Sequence, residues 1–134
     1  MIISIAIILY YSITHFLQLK LTVNKMAFYE NTVIARQDLG EKEIKVIKEK
    51  YNELINKSSG KVIKVEDWGL LNLAKKIKKY KKGFYIHYKF EGSSETINEI
   101  QKKIKVDRAI IRHLIVKYKR LDTKSEFFKK IDKK

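Results

Sequence analysis

The sequence predicts one α+β domain with the element order β-α-β-β-α-β. Two observations lead to this fold class: stretches in which apolar and polar residues alternate, as in strands, and two stretches with apolar residues at helical spacing. With 134 residues, the chain is long enough for one modest core and too short for two domains. Two interleaved right-handed crossovers then give a ferredoxin-like fold, a four-stranded antiparallel sheet with both helices on one face.

In the first half, residues 27–36 are predicted to form a strand, and apolar residues on both of its faces suit a central position. Asp38 is expected to cap the following helix while Glu41 reaches back to the cap. The apolar residues of this helix recur at helical spacing: Ile44, Ile47, Tyr51, Leu54 and Ile55. Gly60 is expected to supply the left-handed conformation that ends it.

In the second half, residues 61–68 form a predicted strand that bends at Gly69 and continues towards a lysine-rich loop. Residues 84–91 form the third strand, and residues 92–95 turn the chain and cap a second helix. That helix carries an apolar face of Ile97, Ile100 and Ile104. Residues 109–119 form the fourth strand, and the basic tail, residues 120–134, is expected to be mobile.

Residues 1–25 differ from the rest of the chain, because residues 1–19 contain no charge and are dominated by Ile and Leu. As a membrane anchor they could span a bilayer once, with Lys20 and Lys25 placing the remainder in the cytoplasm. The favoured interpretation is that they precede the true start at Met26, since a strand pattern begins there without a linker. The predicted ferredoxin-like domain is therefore residues 26–119.

The chain is strongly basic, with a formal net charge of +15 and a pI near 9.8, which favours nucleic acid as the partner. It has no cysteine, so disulfides, thiolate zinc sites and cysteine nucleophiles are excluded. His15, His87 and His113 are far apart in sequence and lack a carboxylate at metal-ligand spacing. Phosphate-binding glycine motifs are also missing. We therefore expect no enzyme activity, no cofactor and no metal.

The densest charge is a cluster of six lysines with no acidic residue among them: Lys75, Lys76, Lys78, Lys79, Lys81 and Lys82. An ordinary solvated loop is the alternative, but the basic character of the whole domain favours contact with phosphates. Arg108, Arg112 and Lys117 form a second basic set around the fourth strand and complete the predicted RNA-binding residues.

The third strand alternates two sets of residues. Its predicted core-facing members are Phe84, Ile86, Tyr88 and Phe90. Tyr85, His87 and Lys89 are then expected on the open face of the sheet, available to a protein partner or to RNA. Aromatic residues there would also suit a free-standing single-stranded RNA-binding module. Trp68 is expected to be a packing residue, although a stacking platform is the alternative.

Five segments resemble the bacterial small-subunit ribosomal protein S6 family: Met26-Ala27-Phe28-Tyr29-Glu30, Val65-Glu66-Asp67-Trp68-Gly69, Leu73-Ala74, Gly83-Phe84-Tyr85 and Arg112-His113-Leu114-Ile115-Val116. The resemblance spans roughly residues 26–118. It implies the fold described above and a structural role in the cytoplasmic ribosome, where the protein binds the central domain of 16S rRNA with ribosomal protein S18 as heterodimer partner. Residues 1–25 have no counterpart in the family, and Lys75-Lys76 stand where it commonly has a proline.

The leading hypothesis is therefore a structural RNA-binding protein of the small ribosomal subunit. The alternatives are a single-pass membrane protein with a basic cytosolic domain and the free-standing single-stranded RNA-binding module.

Overall fold

The computed structural model describes residues 2–23 and 25–124, with side chains for residues 4–17 and 25–124. The elements, in chain order, are α1 (Ile2–Val23), β1 (Ala27–Arg36), α2 (Glu41–Lys57), β2 (Lys61–Ile77), β3 (Tyr80–Gly92), α3 (Ser94–Val106) and β4 (Ile110–Tyr118). From residue 27 onward they follow the predicted order.

The four strands form one antiparallel sheet in the order β2-β3-β1-β4. The central position predicted for β1 is confirmed, and α2 and α3 cover one face of the sheet. The core between helices and sheet contains Ile44, Ile47, Tyr51 and Ile55 from α2, Ile100 and Ile104 from α3, and Val33, Ala35, Ile86, Tyr88, Phe90 and Ile110 from the strands. The face without helices is called the open face below. This architecture is the ferredoxin-like fold.

The start of α2 differs from the prediction. Gly40 occupies the N-cap position, and its backbone N–H donates to Oε2 of Glu43 at 2.8 Å. Asp38 lies two residues outside the cap, where its carboxylate pairs with Nε of Arg36 at 2.9 Å. The predicted roles of Asp38 and Glu41 are therefore wrong, because the helix begins at Glu41 and its third residue is Glu43.

The end of α2 also corrects a prediction. The left-handed conformation belongs to Ser59, with a φ of 63°, and not to Gly60. Gly60 is required for space instead, because a Cβ there would lie 2.8 Å from the carbonyl oxygen of Ile55. The cap of α3 agrees with the prediction, since the Ser93 hydroxyl accepts from the backbone N–H of Thr96.

The segment α1 presents exposed apolar side chains, among them Ile8, Tyr11 and Phe16. Within residues 2–23 and 25–124, no helix combines the length and the apolarity that a membrane crossing requires. At the other end, residues 120–124 lie against the sheet: Nζ of Lys64 donates to the carbonyl of Thr123 at 3.3 Å. The predicted mobile tail is otherwise outside the described residues, including Phe127 and Phe128.

Candidate nucleic-acid interface

The six clustered lysines lie on a two-stranded arm and not in a loop. Pairing of β1 with β3 ends at Gly83, whereas β2 and β3 continue to pair as far as Ile77 and Tyr80. Residues 73–82 therefore project beyond the sheet, and they are called the arm below. The predicted loop is reduced to a turn at Lys78-Lys79, with a φ of 54° at Lys78. All six lysines are exposed.

An irregularity in the pairing shapes the arm. Between the pairs Asn72–Lys82 and Ile77–Tyr80, residues 73–76 of β2 face a single residue of β3, Lys81. The extra length of one strand bends a ribbon, as β-bulges do. The backbone N–H of Lys82 also donates to Oε1 of Gln37 at 3.0 Å, which ties the arm to the loop after β1.

A groove of about 580 Å³ lies between the bent arm and the open face. This arm groove is lined by Leu73, Ala74, Lys75, Lys76, Ile77 and Lys78 from the arm and by Ile34, Tyr85 and Arg112 from the sheet. No acidic residue belongs to this lining, and none of its three lysines pairs with a carboxylate among the described residues. The arm groove is thus a cationic site with an apolar and aromatic floor.

The floor of the arm groove depends on a glycine. A Cβ at Gly83 would lie 2.4 Å from Cγ2 of Ile34 and 3.2 Å from the carbonyl oxygen of Ala35. Only a residue without a side chain therefore lets Ile34 pack against β3 at this point. Ile34 is 8% exposed although it faces away from the helices.

Tyr85 belongs to a row of rings on the open face. Trp68 stacks with Tyr85 at a centroid distance of 6.3 Å and with His87 at 4.7 Å. The indole Nε1–H of Trp68 donates to Oε2 of Glu66 at 3.0 Å, which fixes the ring. Trp68 reaches this face because β2 has a register shift between Asp67 and Gly69, where Gly69 has a φ of 75°. Trp68 therefore packs against other side chains as predicted, but it does so on the open face and outside the main core.

His87 and Lys89 lie on the open face as predicted, but they are only 6% and 5% exposed. Nδ1 of His87 lies 2.8 Å from Oγ1 of Thr32, and its Nε2 lies 3.5 Å from Oε2 of Glu30. Nζ of Lys89 lies 3.2 Å from a carboxylate oxygen of Glu66 and donates to the carbonyl of Asp122. Of the three predicted partner-binding residues, only Tyr85 is thus partly accessible.

Burial is the largest single influence on the pKa of both His87 and Glu66, but it sets the direction of the shift only for His87. It lowers the pKa of His87, and the carboxylates of Glu30 and Glu66 offset that only in part. Burial pushes the pKa of Glu66 upwards, but hydrogen bonds from Trp68 and Lys89 outweigh it and leave the pKa below its usual value. Near neutral pH, His87 is accordingly neutral and Glu66 is charged.

The second basic set is divided by the structure. Arg112 pairs with Ile34 and joins the lysines in the arm groove. Arg108 is exposed just before β4. It lies at the same end of the sheet as the arm, since the carbonyl of the neighbouring Ala109 accepts from the backbone N–H of Arg36, the last residue of β1, at 2.9 Å. Lys117 pairs with Tyr29 near the opposite end of β1 and is remote from the arm in register.

Sequence reasoning missed an apolar stripe on β4. Leu114, Val116 and Tyr118 pair with Thr32, Glu30 and Phe28 and so share the open face with them. Their side chains are 64%, 38% and 42% exposed. The three residues alternate within the fourth strand, but apolar residues between them, such as Ile115, hide the alternation in the sequence. Such a stripe on an exposed surface is typical of a protein contact.

The family model for ribosomal protein S6 matches residues 28–117, which include the arm, the residues that line the arm groove, and Leu114 and Val116 of the apolar stripe. The chain belongs to the ribosomal protein S6 family. The small ribosomal subunit protein bS6 of Pelagibacter ubique is 41% identical over 107 residues, which cover 80% of this chain and 88% of the relative. The bS6 protein of Caulobacter vibrioides is 33% identical over 97 residues, with 72% and 77% covered.

A solved structure gives the same result. The crystal structure of 30S ribosomal protein S6 from Thermotoga maritima is similar with a TM-score of 0.67 and 27% identity, covering 70% of this chain and 89% of that one. S6 is a structural, non-enzymatic component of the small subunit of the cytoplasmic ribosome. The predicted family, fold class and absence of enzyme activity are therefore confirmed.

Proposed function

We propose that this S6 protein binds the central domain of 16S rRNA together with ribosomal protein S18, with the arm groove as its main RNA contact. The observation that carries the proposal is the grouping of Lys75, Lys76, Lys78 and Arg112 around one groove without a carboxylate in its lining. Cations that neutralise phosphates release condensed counterions, which supplies sequence-independent affinity. The remaining arm lysines, with Arg108 at the same end of the sheet, extend this basic surface.

The protein partner is assigned to another part of the open face. The apolar stripe of Leu114, Val116 and Tyr118 offers area that burial would stabilise, at about 25 cal/mol per Å² of apolar surface. It lies beside Arg112 on the same strand and the same face. A partner docked on the stripe would thus border the arm groove, and both proteins could contact one RNA segment.

The test compares two triple variants of equal charge. The first replaces Lys75, Lys76 and Lys78 by Ala; the control replaces Lys102, Lys103 and Lys105, which are exposed on α3 at the opposite face. Binding to a central-domain fragment of 16S rRNA is measured with S18 present over a salt series. The plot of log K against log salt has a negative slope, and each phosphate contact contributes about 0.7–0.9 to its magnitude. The arm variant should therefore reduce that magnitude by about 2–3, while the control should keep the slope of wild type. Equal losses in both variants would overturn the assignment, because they would reflect net charge alone.

A further inference from the structure

We propose that the arm groove holds one unpaired nucleotide of the RNA, with its base stacked between Tyr85 and Arg112. The inference rests on the proposed RNA binding and adds the chemical form of the ligand. It follows from the register of the sheet, from the ring that lines the arm groove and from the distribution of charge around it.

The register places three residues of the arm groove in one row. Ile34 of β1 pairs with Tyr85 of β3 on one side and with Arg112 of β4 on the other, and all three share the open face. Neighbouring strands lie about 4.8 Å apart, so the backbones of Tyr85 and Arg112 are separated by about 9.6 Å. A flat ring in van der Waals contact on both faces needs about 7–8 Å between its neighbours. The spacing of the two outer strands of this row thus matches the width that a planar base needs between the side chains of Tyr85 and Arg112.

Tyr85 is held ready for such a contact. Its ring stacks with Trp68 at an interplanar angle of 21°, and Trp68 is fixed by Glu66, so the phenol ring does not need to be ordered by the ligand. Since the ring also lines the arm groove, it offers surface to a base. Aromatic side chains are the usual stacking partners of unpaired bases, and arginine stacks on bases as well.

The charges suit the backbone of that nucleotide. Lys75, Lys76 and Lys78 form the arm side of the arm groove, opposite the row of Tyr85, Ile34 and Arg112. A base on the sheet side would thus bring its phosphate towards the lysines. The volume of about 580 Å³ lies in the range of about 300–1,000 Å³ that is typical of small-ligand sites. A base inside a duplex is stacked on its neighbours and cannot enter, so the site selects single-stranded RNA.

The experiment uses the full chain and a single-stranded oligoribonucleotide of roughly ten nucleotides, within the usual site sizes. Tyr85→Leu should weaken binding about tenfold, whereas Tyr85→Phe should stay within about twofold. Tyr11→Leu is the control, because Tyr11 is an exposed tyrosine on α1 and lies neither in the arm groove nor on the apolar stripe. Melting curves verify that each variant is folded. Emission of Trp68, the single tryptophan of the chain, should change on binding in wild type and not in Tyr85→Leu.

Three further measurements separate the possible failures: the salt slope, the affinity for the central-domain fragment and the affinity for S18. The salt slope should be equal in wild type and Tyr85→Leu, since no charge is removed. If wild type does not bind the central-domain fragment even with S18 present, the proposed function fails. If wild type binds and folded Tyr85→Leu binds RNA equally well, only the nucleotide site is refuted. A Tyr85→Leu defect confined to the affinity for S18 would likewise refute it and make Tyr85 a protein contact.

Discussion

Asp107 joins α2 to the beginning of β4, and its removal gives a well-defined prediction. Its Oδ2 accepts from the Tyr51 hydroxyl at 2.8 Å and from Nζ of Lys50 at 2.7 Å, and its Oδ1 accepts from the backbone N–H of Ala109 at 3.0 Å. Tyr51 is fully buried. Asp107→Ala therefore leaves a buried hydroxyl without its acceptor, and this change should destabilise the domain.

The magnitude follows from the separate contacts. An unpaired buried hydroxyl costs about 1–3 kcal/mol, and the Lys50 pair, whose lysine is 41% exposed, adds about 0–1 kcal/mol. We expect Asp107→Ala to lower the free energy of unfolding by about 2–3 kcal/mol in urea titrations. In a Tyr51→Phe background the hydroxyl is gone, and the same substitution should cost only about 1 kcal/mol.

Glu53→Ala is the matched control, because Glu53 and Lys57 form a pair at 4.0 Å with both side chains largely exposed. It should change stability by less than about 0.5 kcal/mol. If the effects of Asp107→Ala and Tyr51→Phe simply added, the two groups would not be coupled and the reasoning from the hydrogen bond would be refuted.

Three further predictions concern the open face and the extension. Burial holds the pKa of His87 below its unfolded value of about 6.5, so the unfolded chain binds more protons than the folded chain near pH 6. The free energy of unfolding should therefore fall as the pH drops from about 7.5 through that range. In thermal melts, His87→Gln should show a weaker dependence on pH. Gly83→Ala should lower the free energy of unfolding by about 1–3 kcal/mol, because the added methyl group clashes with Ile34. It should also weaken RNA binding by disturbing the floor of the arm groove. An unchanged melting temperature and an unchanged RNA affinity would contradict this. Deleting residues 1–25, which leaves a net charge of 15 − 2 = +13, should keep RNA affinity within about twofold in a filter-binding assay; a larger loss would show that the extension takes part.

Most of the fold could be predicted because local patterns determine it. The core residues of α2 and α3 recur at helical spacing, and apolar residues occupy alternate positions from Phe84 to Phe90 in β3, so the faces that pack between helices and sheet could be assigned from sequence. The start of α2 could not, since Asp38 and Gly40 are both residues that favour the N-cap, and in the structure Gly40 takes it while Asp38 pairs with Arg36.

The candidate site could be predicted only in part. The lysines could be identified as a candidate site from their density in the sequence. The arm groove depends on a register shift that places residues 73–76 opposite Lys81. Such pairing between strands cannot be recognised from a local sequence pattern. For the same reason, the burial of His87 and Lys89 was missed. Their cover comes from Trp68 and from Asp122, which are distant in sequence from them.

The proposed function is binding to the central domain of 16S rRNA through lysines and in cooperation with S18. The most direct measurement is the affinity for a central-domain fragment, with and without S18, over a series of salt concentrations. We expect tight binding that requires S18 and weakens steeply with salt, with a log–log slope of about −3 or steeper for the four cations of the arm groove. An affinity that does not depend on salt, or no binding in the presence of S18, would contradict it.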